Sequence, residues 1–415
     1  MRLLISFVAL FLSVALLQLG SGGVAPLDAI SGITLGFSTG QIGLLGSAHF
    51  LGFFVGCWWA PRLMGEVGHS RAFAAFAAAG TIGILAHMLV INPLAWAVMR
   101  MASGLCVAGC YTIIEAWLHA KVTNKTRARA MGVYRGVDIF ASLGAQLMIG
   151  VLEPASYVSY NLLALLCCAA LFPLTLTKVT PPETPLTPRL RPRLAWECSP
   201  LAVAGVIVSG ITGAAYRMVG PVYGVNIGLD THQIGLFLAA FVLGGALAQL
   251  PMGWIADKFD RRAVMVGMSM GAVAACGLTI AVSHSGPVGI FLTAGLFGFT
   301  TMPLYSISSA HAHDFAQPME RVELSAALMF VYAVGAIASP LLASGLIAGF
   351  GPNAMFVFIG VAHLLLLGFS LLRMRARPTL SKRTDYVYVP RTSFLIGKLL
   401  GGGRDLDASG RNTPD

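Results

Sequence analysis

Five charged side chains stand inside long apolar runs: Arg100, Glu115, Arg135, Asp138 and Arg217. A charge at the centre of a membrane helix costs about 2.5–3.5 kcal/mol on insertion scales, so each needs a partner or a wet cavity. Glu115 lies six residues before Lys121, and Arg135 six residues after Arg129, at matching ends of consecutive apolar runs. At about 1.5 Å of rise per residue both sit roughly 9 Å in from their loops. This predicts a Glu115–Arg135 ion pair where the two helices touch. Such a pair either locks two helices or carries function. Asp138, one turn deeper, either shares Arg135 or is the carboxylate that takes up and releases a proton.

The elements that must position these groups follow from composition. Of 415 residues, 56% are hydrophobic and 11% charged, where a soluble domain carries about 25% charged residues. Lipid is therefore the expected solvent, and the chain reads as an all-α membrane protein. Apolar runs long enough to cross a bilayer lie near 3–25, 41–61, 71–91, 93–120, 127–151 and 157–177. Six more lie near 199–226, 233–256, 262–282, 286–310, 323–349 and 353–374. The first is read as a retained helix and not a cleaved leader. Residues 1–177 make one six-helix bundle, 178–200 a Pro-rich cytoplasmic linker and 201–374 a second bundle. Residues 375–415 form a largely disordered cytoplasmic tail, with a short interfacial helix expected at 393–400.

Lysine and arginine placement orients this model. With twelve alternating helices and both termini cytoplasmic, every Lys and Arg outside the apolar runs falls on one side, as the positive-inside rule demands. The net charge of +10 is thus a topology signal, and a nucleic-acid partner is excluded. The seven cysteines sit mostly in apolar runs and read as small hydrophobes. His49 and His363 read as packing residues. His311, His313 and Asp314 cluster at a helix end that reads as solvated, and neither a metal nor a cofactor is called for.

Two internal features and three motifs identify the architecture. Gln41-Ile42-Gly43-Leu44 recurs as Gln233-Ile234-Gly235-Leu236, an offset of 192 residues, and Ala48, Leu51 and Gly52 meet Ala240, Leu243 and Gly244 at the same offset. Six helices, a linker and six more with parallel repeats is a transporter architecture. Gly253-Trp254-Ile255-Ala256-Asp257-Lys258-Phe259-Asp260-Arg261-Arg262 follows the eighth run. It resembles the cytoplasmic loop signature of the major facilitator superfamily, Gly-x-x-x-Asp-Arg/Lys-x-Gly-Arg/Lys-Arg/Lys, with Asp260 in place of Gly. At the repeat offset the first half has Pro61, Gly65 and Gly68 instead, so a charged latch is expected only in the second half. Arg100-Met101-Ala102-Ser103-Gly104 is similar to the family's Arg-x-x-x-Gly element, and Glu115-Ala116-Trp117-Leu118 resembles the YcaD-like branch.

The resemblance implies the major facilitator fold, a loop that contributes to gating (Gly253, Asp257, Lys258, Asp260, Arg261, Arg262), and proton coupling through Arg100. Helices one, four, seven and ten are then expected to line a central cavity. Arg100 and Arg217 face each other across it, which hints at an anionic or carboxylate-bearing solute, or each is neutralised within its own half. Tyr111, Thr112, Tyr216, Tyr223, Asn226, Tyr305 and Ser306 are further cavity candidates. The leading expectation is a proton-coupled secondary transporter of a small organic solute, monomeric, in a bacterial inner membrane. An enzyme is not expected, because the sequence holds no nucleophile–base set, metal box or phosphate loop. A non-transporting receptor or scaffold on the same fold is the alternative.

Overall fold

The computed structural model describes residues 2–122, 124–176 and 190–376. The elements are helical: α1 (Arg2–Thr34), α2 (Thr39–Val67), α3 (His69–Ala86), α4 (Pro93–Lys121), α5 (Asn124–Ile149), α6 (Tyr157–Ala169) and α7 (Leu171–Thr175). After the linker come α8 (Pro192–Cys198), α9 (Pro200–Asn226), α10 (Thr231–Lys258), α11 (Arg261–Ala281), α12 (Pro287–Thr301), α13 (Leu304–His313), α14 (Arg321–Phe350) and α15 (Ala354–Ala376). Each of the twelve apolar runs is occupied by one helix or by a broken pair. Among the described residues, ten stretches are long and apolar enough to cross a membrane. The two runs that fall short are α3, which opens on His69-Ser70-Arg71, and α5, which carries Arg135 and Asp138.

Several boundaries differ from the sequence expectation. The first helix does not stop near residue 25 but runs through Pro26 to Thr34, which carries Asp28 into the protein. The tenth run is broken between α12 and α13 by Met302 and Pro303, since proline removes a helix hydrogen bond. The sixth is split at Ala170. Part of the expected linker is the helix α8, whose Leu194, Ala195 and Cys198 are buried. Arg191, just before it, pairs with Glu323 of α14 at 2.9 Å. The expected interfacial helix at 393–400 lies outside the described residues.

The 192-residue repeat has a physical meaning at each position. Ser38 and Gln41 form a capping box at the start of α2, and Asp230 and Gln233 form its counterpart on α10, satisfying two helix-end donors apiece. The turns before them bend at Gly36 (φ +80°) and Gly228 (φ +87°), a region closed to most side chains. Ile42 packs on Gly32 and Ile234 on Gly224. Gly43 then lies against Pro340 and Ser344 of α14, whereas Gly235 lies against Gln146 of α5 and Gly150 just after it. The repeated motif thus builds one turn twice and takes part in two of the crossings that join early helices to late ones.

Packing follows the same duplication. α2 crosses α4 with Gly52 against the Met101 carbonyl and Gly104 against the His49 carbonyl. α10 crosses α12 with Gly244 against the Gly295 carbonyl and Gly298 against the Phe241 carbonyl. Backbones meet where no side chain intervenes, the means by which membrane helices associate without a hydrophobic driving force. α1 packs on α5 and α6, α9 on α14, and α11 on α15, while α2–α14, α5–α10, α1–α9 and α2–α9 are in contact between the helices before and after the linker.

Gly52→Val and Gly244→Val should each lower stability by about 1–3 kcal/mol through overpacking, read as a lower Tm in detergent. Gly277→Ala, at a glycine with open space around it, should leave Tm unchanged. Equal Tm values for all three would overturn the close-packing account.

Candidate functional site

The extension of α1 creates the main charged site. Asp28 is 2% exposed and Arg100, on α4, is 1% exposed. Arg100 Nε lies 3.3 Å from Asp28 Oδ2, an ion pair by distance and not an aligned hydrogen bond. Tyr160 of α6 donates its hydroxyl to Asp28 Oδ1 at 2.8 Å, and His87 Nε2 stands 3.5 Å from Oδ2. His87 is held by its Nδ1 on the Gly83 carbonyl, and it stacks on Tyr160. Trp96 Nε1 donates to the His87 carbonyl at 2.8 Å. Breaking a buried pair of this kind leaves an uncompensated charge, which costs about 3–5 kcal/mol. Asp28 was missed in the sequence because the apolar run was ended at Pro26; a helix continued through that proline would have found it.

The rest of the Arg100 guanidinium points toward the late helices. Nη2 approaches the Met218 sulfur of α9 at 3.8 Å, and Nη1, although buried, has no hydrogen-bond partner. Arg217 is the adjacent residue. Both arginines line one cavity of about 170 Å³. Arg100 lies seven residues inside α4 from Pro93 and Arg217 nine residues before the end of α9. At about 1.5 Å per residue they stand at similar depth, about 10 and 14 Å from the end away from the basic loops. Arg217 is exposed to the cavity and, among the described residues, makes no ion pair or hydrogen bond.

The cavity walls come from α1, α2, α4, α5, α9, α10 and α14, with Thr301 and Tyr305 at the α12–α13 break. Phe50, Phe53, Phe241, Tyr305 and Tyr332 border it with aromatic rings, the buried Tyr216 lies at its edge, and Gln18, His49, Ser142, Gln146 and Thr212 are its polar neighbours. Among the described residues, no carboxylate lines it. Of the sequence candidates, Arg100, Arg217, Tyr216 and Tyr305 reach this cavity. Tyr111, Thr112, Tyr223, Asn226 and Ser306 are outside its lining. Tyr223 is buried among Phe237 and Phe356, and Asn226 is exposed at the end of α9.

Tyr111 instead sits between two acceptors, 2.9 Å from Gln18 Oε1 and 3.2 Å from Asp138 Oδ1. Since Gln18 lines the cavity, this places Asp138 one layer behind the wall. Glu115, 7% exposed, accepts from Tyr134 at 3.2 Å, the sequence neighbour of Arg135. His49 reaches the cavity wall, while His363 contacts Thr212 Oγ1 at 3.1 Å from behind it.

The loop after α10 is built on charge. Arg261, 1% exposed, binds Asp314 at 2.7 Å and the Ala310 carbonyl at 2.9 Å, with Asp257 at 3.5 Å. Asp260, where the family has Gly, caps α11 through the Arg262 amide and pairs with the Arg262 side chain at 2.8 Å. Lys258 lies over the Trp254 ring at 4.7 Å. The reading of His311, His313 and Asp314 as a solvated helix end is corrected: both histidines are buried, and Asp314 is 4% exposed at the Arg261 pair. The charged loop folds over that end of α13. At the first-half counterpart, Arg62 stacks on Trp58 at 4.0 Å instead.

Comparison with known proteins agrees with this geometry. The Major Facilitator Superfamily profile matches residues 201–400. An uncharacterized MFS-type transporter of Yersinia pestis is 26% identical over 359 residues, covering 85% of this chain and 90% of that protein. The uncharacterized MFS-type transporter YcaD of Escherichia coli is 29% identical over 338 residues, covering 78% and 84%. Among solved structures, a mutant form of the nucleoside transporter NupG superposes with TM-score 0.76 at 12% identity, covering 89% of this chain and all of that one. A bacterial homolog of the human lysosomal transporter Spinster, inward-facing and occupied, gives 0.69 at 15% identity, covering 89% and 96%. The repeat, the loop signature, the shared fold and relatives along most of the chain agree: this chain is similar to the major facilitator superfamily of membrane transporters along most of its length.

Proposed function

We propose that this protein is a secondary transporter that moves a small organic solute through the central cavity by alternating access, coupled to protons. The observation that carries this reading is the pairing of a cavity between early and late helices with a buried Asp28–Arg100 ion pair at its wall. In this reading α3 and α5 complete a set of twelve membrane spans, grouped as 1–177 and 201–374 around the 178–200 linker. Both termini are cytoplasmic, because the basic loops all fall at one end, and the membrane is the bacterial inner membrane. The two groups rock about the cavity. The Arg261–Asp314 loop moves with the second group as one body and serves as its gate.

Asp28 is the leading proton site. A proton on its carboxylate removes the counter-charge from Arg100, which frees the guanidinium toward α9 and couples protonation to the contact between the two groups. Asp138 is the second candidate, favoured by the Tyr111 hydroxyl that links it to the cavity residue Gln18. Glu115 and Arg135 are assigned to holding α4 and α5 in register.

Reconstituted in proteoliposomes, the protein should accumulate at least one solute from a broad metabolite panel under an imposed pH gradient. No flux and no proton movement with any solute would favour a receptor or scaffold. Asp28→Asn keeps the shape and an acceptor for Tyr160. It should abolish gradient-driven accumulation while solute exchange continues at a rate within about threefold of the unmodified protein. Asp138→Asn should retain accumulation; the reverse pattern would assign the proton to Asp138.

A further inference from the structure

The cavity's charge balance narrows what it can hold. Among the described residues its wall carries two guanidinium groups and no carboxylate, but the two are not equivalent. The charge of Arg100 is already balanced by Asp28, which lies just behind it. An anionic group brought to Arg100 meets a guanidinium whose charge is already paired, so the site offers a donor, Nη1, and little net attraction. Arg217 is different: it is exposed to the cavity, and no described residue pairs with it. An arginine within a membrane segment is held there by a partner or by water. Here the open position is the cavity itself.

The apolar part of the wall is equally one-sided. Phe50, Phe53 and Phe241 border the same volume, and the buried Tyr216 stacks on Phe241 with centroids 4.2 Å apart, which fixes that ring before any solute arrives. The polar remainder is amide and hydroxyl, with the imidazole of His49, and these groups are able to orient a solute.

We propose that the solute is a monoanion, a single carboxylate on a compact aromatic or alkyl body, with Arg217 as its charge partner and the ring-lined wall as its apolar subsite. A guanidinium presents a planar pair of donors that matches a carboxylate. A dianion lacks a second uncompensated cation, and an amine or a cationic solute meets Arg217 with no carboxylate to balance it. This rests on the cavity being the substrate site of a transporter, and the experiment keeps the two separable.

The test uses the full chain in detergent and in proteoliposomes, with phenylacetate, 4-hydroxybenzoate and hexanoate as probes. Phenylacetamide, phenethylamine and phenylmalonate are the matched neutral, cationic and dianionic comparisons. At least one monocarboxylate should raise Tm, with its neutral counterpart at least tenfold weaker in apparent Kd and the amine without effect. Arg217→Gln should weaken that monocarboxylate tenfold or more, and Arg217→Lys should recover part of the loss, which keeps the result from being a folding defect. Stabilisation by phenylacetamide or phenylmalonate as good as by phenylacetate would overturn the proposal. So would unchanged binding by Arg217→Gln, or no stabilisation by any of the three monocarboxylates. Charge-selective binding without flux would sustain the solute class and count against transport. Flux of neutral solutes with no dependence on Arg217 would sustain transport and overturn the class.

Discussion

The ion pair between Asp28 and Arg100 is the constraint from which the arrangement of the first half follows. In hydrocarbon neither charge is tolerable alone, and the two are 3.3 Å apart at nearly complete burial. To reach Arg100, α1 has to continue as a helix past Pro26. To satisfy the second carboxylate oxygen, α6 has to present Tyr160, while the segment after α3 brings His87 beside the oxygen that faces Arg100. Four elements are thereby tied to one carboxylate. The same pair decides the charge of the cavity wall, because it neutralises one of the two arginines that line it and leaves Arg217 as the other.

The internal repeat duplicates scaffold and not chemistry. The capping boxes at Ser38–Gln41 and Asp230–Gln233, the positive-φ glycines Gly36 and Gly228, and the backbone crossings at Gly52 and Gly244 are equivalent pairs. The chemical residues are not. At the 192-residue offset Asp28 corresponds to Gly220 and Arg217 to Ala25, so an acid stands in one copy and a base in the other, one helical turn apart. Symmetric scaffolds allow symmetric rocking of the two groups. The asymmetric pair puts a buried carboxylate behind one wall of the cavity and an exposed guanidinium on the other.

Much of this was legible in the sequence, for reasons that also explain the rest. Helix positions were readable because twenty apolar residues in a row have few alternatives in water, and the duplicated turn was readable because caps and glycines leave fixed residue types at fixed spacing. The loop from Asp257 to Arg262 was readable for the same reason, and even its departure at Asp260 has a local cause, the cap of α11. Asp28 was not, since a proline followed by an acid looks like the end of a helix when the partner that tolerates them is seventy residues away. The burial of His313 and Asp314 was hidden likewise: Arg261 is distant in sequence, and only the fold lays its loop over α13.

The two ends of the second half then differ in kind. At the basic end Arg261 is sealed between α10, α11 and α13 by side-chain and carbonyl partners, and opening it would strand a buried charge, at a cost of several kcal/mol. Motion at that end is therefore cheaper as displacement of the whole assembly than as a local opening. Near the other end, the early and late helices touch through Gly43 against Pro340 and Ser344, and Gly235 against Gln146 and Gly150. Such backbone-close contacts hold no charge to be stranded and part or slide by small shifts. The charged joint lies among the late helices and the glycine contacts lie between early and late ones, so the placement of the polar interactions makes the first costlier to part than the second.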